Sequence, residues 1–216
     1  MRAAAVVMAI VVGVALGASA HAPRFFPARF RGGDVPAVPQ MTPGGGEVFL
    51  QVVVDPHGRV ADVVPLRATP PFTDLLVEAV HGWQFLPALD ENGPVTASVF
   101  VGGIFGAPAL FARALGEAPR DLAASAPDMP FPVTFSLPAF PATAFQGGTA
   151  LLEAEVGEDG RPADVRVLRA APPFDAISRA AVQDWLFRAA RVGGGPVRSY
   201  AYVVFGFTPP VTGPRK

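Results

Sequence analysis

Few side chains in this sequence could do chemistry. His21, His57 and His81 are the three histidines, cysteine is absent, and the single lysine is the terminal Lys216. A cysteine nucleophile, a thiolate metal site, a phosphate-loop lysine and a Schiff-base lysine are therefore excluded. His57 stands beside Asp55 and near Asp62, residue types that can hold a metal or exchange a proton. No second histidine is near in sequence, and the segment Asp55-Pro56-His57-Gly58 already has a purpose as a turn. His81 falls near the end of a helical pattern, where the helix dipole favours a cation. No Gly-x-Ser-x-Gly elbow and no His-Glu-x-x-His occurs, and the glycines at 44–46 and 193–195 do not follow a strand and open a helix as a phosphate loop does. The expectation is a protein that is not an enzyme and has no catalytic residue, no cofactor and no metal.

What remains is a chain built for packing. Half of its residues are hydrophobic and 16% are charged, enough apolar material for one or two cores. The formal charge of -1 lacks the basic footprint of nucleic-acid binding, so no nucleic-acid partner is expected. The 25 prolines and 23 glycines punctuate apolar segments, which implies many short elements. At the start, Arg2 precedes an apolar run from Ala3 to Gly17, followed by Ala18-Ser19-Ala20 and Ala20-His21-Ala22. That layout reads as a signal peptide over 1–22, because the run is shorter than the roughly 20 residues of a spanning helix. A periplasmic location follows; the alternative is an inner-membrane anchor facing the periplasm.

The chain also repeats itself. Shifted by 102 positions, residues 36–105 align without a gap on 138–207, and both tryptophans, Trp83 and Trp185, coincide. Ala61-Asp62-Val63 matches Ala163-Asp164-Val165, Leu66-Arg67-Ala68 matches Leu168-Arg169-Ala170, and Pro70-Pro71-Phe72 matches Pro172-Pro173-Phe174. A unit this long is a duplicated domain and not a solenoid repeat. Residues 106–135, with five prolines and one possible helical turn at 109–116, read as a Pro-rich linker.

Within each unit the periods define the elements. Val48, Leu50, Val52 and Val54 alternate as a strand with one better-buried face, and the turn ending at Gly58 leads back into a second strand at 59–67. Thr73 or Asp175 can cap a helix whose stripe is Leu76, Ala79, Val80 and Trp83, or Ile177, Ala181, Val182 and Trp185. A turn at Asn92-Gly93-Pro94 or Gly194-Gly195-Pro196 then opens a third strand, 95–105 or 197–207. The predicted class is α+β: two tandem strand-strand-helix-strand units, each a three-stranded antiparallel sheet with one helix on one face. Such a unit leaves its other face and an edge to be accounted for. Arg198, Tyr200 and Tyr202 share the outward face of the last strand, a pattern suited to a contact surface. Asp62 with Arg67, and Asp164 with Arg169, read as charge pairs flanking the second strand.

The apolar strand, Asp-Pro-His-Gly-Arg-Val, Ala-Asp-Val, Leu-Arg, Pro-Pro-Phe, the helix, Trp-x-Phe-x-Pro-Ala and Gly-Pro-Val together resemble the C-terminal domain of TonB, the periplasmic energy transducer. The resemblance covers both units. Phe140-Pro141 is similar to the aromatic-proline pair that opens such domains; Val38-Pro39 lacks the aromatic, and Ala189 replaces the proline found at Pro87. The resemblance implies that an extended peptide of an outer-membrane receptor, the TonB box, or of another envelope protein, adds as a strand beside strand three. It points to Thr96, Ser98, Phe100 and Val101 in one unit and Arg198, Tyr200, Tyr202 and Val203 in the other. The same edge also permits a homodimer. Residues 23–35 extend at most about 45 Å, far less than the periplasm-spanning stretch of the transducer, so the resemblance carries peptide binding further than motor coupling, and full energy transduction is a third reading that requires an uncleaved N-terminus. The alternative is a structural or assembly module of the envelope, in which both strand-three edges are already paired.

Overall fold

The computed structural model describes residues 24–38, 45–106, 116–117, 125–138, 144 and 146–208. The expected signal peptide, most of the helical turn at 109–116, and the Phe140-Pro141 pair lie outside them. The first half holds β1 (Arg29–Gly32), β2 (Gly46–Val54), β3 (Val60–Arg67), helix α1 (Phe72–His81), β4 (Gln84–Leu86), β5 (Ala88–Asp90), β6 (Gly93–Val95) and β7 (Ala97–Gly106). There follow β8 (Gly116–Glu117), β9 (Phe131–Phe135), β10 (Gly148–Val156), β11 (Pro162–Arg169), α2 (Asp175–Gln183), β12 (Leu186–Arg188), β13 (Ala190–Val192), β14 (Gly195–Val197) and β15 (Ser199–Phe207).

Local chemistry explains the element ends. Asp55 accepts backbone N–H bonds from His57 and Arg59 at 2.8 and 2.9 Å, which holds its carboxyl below the usual range. His57 thus lies in a turn. Gly58 and Gly160 both sit at φ 79, where a side chain is strained, and a Cβ there would meet Phe85 O at 1.9 Å or Phe187 O at 2.0 Å. Thr73 and Asp175 do not cap the helices: the N-caps are Pro71 and Phe174. Instead Thr73 Oγ1 and Asp175 Oδ1 accept from Thr69 N and Ala171 N, bracing the chain that leads into each helix. Trp83 and Trp185 lie just beyond the helix ends and are 1% exposed.

The strands form one six-stranded sheet in the order β11-β10-β15-β7-β2-β3. Pairing is antiparallel within each half and parallel between β15 and β7, which join the halves. The two three-stranded sheets expected as separate units are therefore continuous. An unpaired row of backbone groups is costly to leave beside apolar side chains, and each strand three satisfies the other's. The third strands also begin later than expected. Val95 and Val197 close small hairpins, β5–β6 and β13–β14, before the chain breaks at Thr96 and Arg198. The stretch read as a linker contains β9, which pairs with β12.

The core lies on both faces. Phe72, Leu76 and Val80 of α1 share a cluster with Val48, Leu50, Val52 and Val54, and that cluster continues onto Leu151, Tyr202 and Val204. Phe174 at the start of α2, with Ala181 and Val182 on it, shares another with Leu152, Ala154, Val203 and Phe205, continuing onto Phe49 and Phe100. Because neighbouring residues on one strand point to opposite faces, the helices cover opposite faces of the sheet. Each helix covers its own half, and the remaining two quarters are covered by the segments that precede each unit.

Candidate functional site

At the seam, residues 100–106 of β7 pair in parallel with 201–207 of β15, from Phe100↔Ala201 to Gly106↔Phe207. Thr208 extends the closure, its N–H and Oγ1 both donating to Gly106 O at 3.2 Å. Phe105 lies against the backbone of β15: a Cβ on Gly206 would stand 2.4 Å from its ring. Of the eight residues expected on a free strand-three edge, Phe100, Val101, Tyr202 and Val203 lie in this paired stretch and are fully buried. That edge is not free in the folded chain; it is filled by the other strand three. Thr96, Ser98, Arg198 and Tyr200 precede the paired stretch. Thr96 and Arg198 are exposed, Ser98 N–H donates to Asp128 Oδ2 at 2.7 Å, and Arg198 pairs with Glu155 at 2.8 Å.

Two arms close the faces. The first, residues 24–34, pairs through β1 with β4 and donates Phe26 N–H to Leu89 O at 2.8 Å. It crosses to the other half of the sheet. Phe30 packs within 5.0 to 6.1 Å of the rings of Trp83, Phe85 and Tyr202, and its N–H donates to Tyr202 Oη at 2.7 Å. Trp83 Nε1 donates to Asp34 O at 2.8 Å. Arg29 reaches Glu153 on β10 at 3.3 Å and lies 5.0 Å above the Tyr200 ring. Glu153 is 2% exposed and also receives Arg166 and the Tyr202 hydroxyl, the latter at 3.3 Å. Burial pushes its carboxyl up, opposed by the charge of Arg29. The same burial, with the charge of Glu153, drives the Tyr202 phenol well above its ordinary value.

The second arm, residues 125–137, repeats the device with apolar side chains. Its β9 pairs with β12, Trp185 Nε1 donates to Ser136 O at 3.1 Å, and Met129, Phe131 and Phe135 are fully buried. Phe131 and Phe135 pack on Phe49, a residue of the first unit, with ring centres 6.1 and 5.4 Å away. Gln51 stands where the other unit has Glu153, and its Oε1 accepts from Ala126 N at 2.9 Å. What lies against Tyr200 and Tyr202 is the chain's own first arm. The charge pairs expected beside strand two differ as well. Arg67 pairs with Glu47 at 2.6 Å, Asp62 accepts from Val63 N, and Arg169 donates to Gly33 O. Glu153, Arg29 and both arms escaped sequence reasoning. The available signals were the uncovered second faces and the buried indole N–H groups, which need acceptors.

Comparison with known proteins bears on the second half. Residues 138–209 match the family model of the Gram-negative bacterial TonB protein C-terminal. The match begins beside the second arm and ends just past β15, so it takes in a whole strand-strand-helix-strand unit. Counterpart strands of the first half start 102 residues earlier, as Gly46 does before Gly148 and Gln84 before Leu186. No curated protein matches the sequence. Among the described residues, no helix is long and apolar enough to cross a membrane.

Proposed function

We propose that this protein serves TonB-like transport in the cell envelope, as a periplasmic, non-enzymatic module of two TonB C-terminal-like units that binds extended segments of outer-membrane receptors. The observation that carries the reading is the family match over residues 138–209. The recurrence of the same element order in the first half supports extending it to both units. Strand addition needs an unpaired edge, and the stretches 100–106 and 201–207 already serve one another. A receptor segment therefore competes with the seam and engages first at its open end, beside Thr96 and Arg198. Photo-crosslinking groups placed at these two exposed positions in cells test the reading: adducts with outer-membrane receptors are expected, and none with any receptor would refute it.

The paired strand-three edges favour one second reading, a non-energised assembly module that keeps its seam closed. Adducts with envelope proteins other than receptors, together with no binding of receptor N-terminal peptides by calorimetry, would select it.

A further inference from the structure

The first arm lies in a groove that has the features of a peptide site. One wall is β4 with Trp83 and Phe85; the other is the face of β10 and β15 with Glu153, Tyr200 and Tyr202. The groove reads an extended backbone through the β1–β4 ladder and an indole N–H, and it reads two successive side chains. An arginine meets a buried carboxylate and a tyrosine ring, and the aromatic that follows meets three more rings. Glu153 is the only charged residue among the buried described side chains, and removing Arg29 would leave it with Arg166 as its one remaining ion-pair partner.

The occupant is lightly held compared with its counterpart. In the first arm only Ala28 is a buried hydrophobic, Phe26 is 52% exposed, and the Arg29 side chain is 38% exposed. In the second arm Met129, Phe131 and Phe135 are all at 0%.

We propose that this groove is a binding site for extended peptides carrying an arginine followed by an aromatic residue, and that the first arm is a displaceable occupant holding it closed. The site uses the side-chain face of β15 and the proposed receptor site its backbone edge, so the two readings are tested separately. A tethered arm competes at an effective concentration in the millimolar range, so a free peptide binds the intact chain weakly.

The probe is a fluorescent peptide of the arm's own sequence, Arg-Phe-Phe-Pro-Ala-Arg-Phe-Arg-Gly-Gly-Asp-Val. It is titrated into the full chain and into the full chain carrying Arg29→Ala and Phe30→Ala. The loosened chain should bind it at least 10-fold more tightly than the unaltered chain, and adding Glu153→Gln should reverse that gain. Equal or absent binding by a folded loosened chain would overturn the proposal. Should the loosened chain lose its near-ultraviolet dichroism, the unaltered chain decides. A photoreactive phenylalanine at the peptide position of Phe30 should then label 83–86 and 200–202, and labelling elsewhere, or none, would overturn the proposal. A concentration-dependent dimer with Arg29 cross-linked to Glu153 of the other copy would also overturn it, by making a second copy the occupant.

Discussion

The arm before the first unit holds the sheet with a guanidinium, a half-buried aromatic ring and backbone pairing, whereas the arm before the second holds it with three side chains shielded from water. Both meet the same requirement, since each covers the sheet face that the opposite helix leaves open. Gln51 and Glu153 occupy equivalent places, yet one accepts a backbone N–H and the other gathers two arginines and a phenol. Apolar burial is strong and indifferent to pH, while a buried carboxylate is worth keeping only with its partners in place. One arm is thus a buried apolar plug and the other a polar latch.

The largest expected effect comes from breaking the plug. Phe131→Ala removes a fully buried ring from between Phe49 and Phe100 and should cost about 3–5 kcal/mol, read from urea unfolding of the whole chain. Phe30→Ala, the aromatic of the latch, should cost only about 1–2 kcal/mol. That loss should be local: hydrogen exchange of amides at 26–32 should accelerate while 48–54 and 150–156 stay protected. Equal global losses for the two variants would erase the distinction between the arms.

A smaller effect follows from the phenol in the latch. An unfolded tyrosine ionises near 10.0, but Tyr202 in the folded chain stays protonated well above that, because it is buried and faces Glu153. Above pH 10 the unfolded chain therefore binds fewer protons, so stability falls as pH rises, by up to about 1.4 kcal/mol per pH unit for this group. Tyr202→Phe should reduce that slope in unfolding measured between pH 9 and 11. Tyr200, which burial also raises, should leave a residual slope.

Much of this was legible in the residues. The turn at Gly58, the helices and the hairpin strands follow from φ-specific glycines and hydrophobic period, which are local properties. The seam is not local: whether two strand-three edges pair with each other or with a partner depends on how the halves meet, and nothing in 97–106 or 199–207 encodes parallel pairing. The arms were missed because proline-rich segments such as 125–137 carry no period, and their burial comes from the faces they cover. Tyr202 reads in the sequence as a residue for a partner's peptide, and in the fold it lies against Phe30 of the same chain.

The most direct test of the closed seam is amide hydrogen exchange of the unaltered chain, comparing 100–106 and 201–207 with the outer strands 60–67 and 162–169. If the two third strands close on one another, both seam segments exchange as slowly as β2 and β10 and far more slowly than the sheet's outer edges. Exchange at edge-strand rates in both seam segments would mean that the strand-three edges are open, and would contradict the single six-stranded sheet.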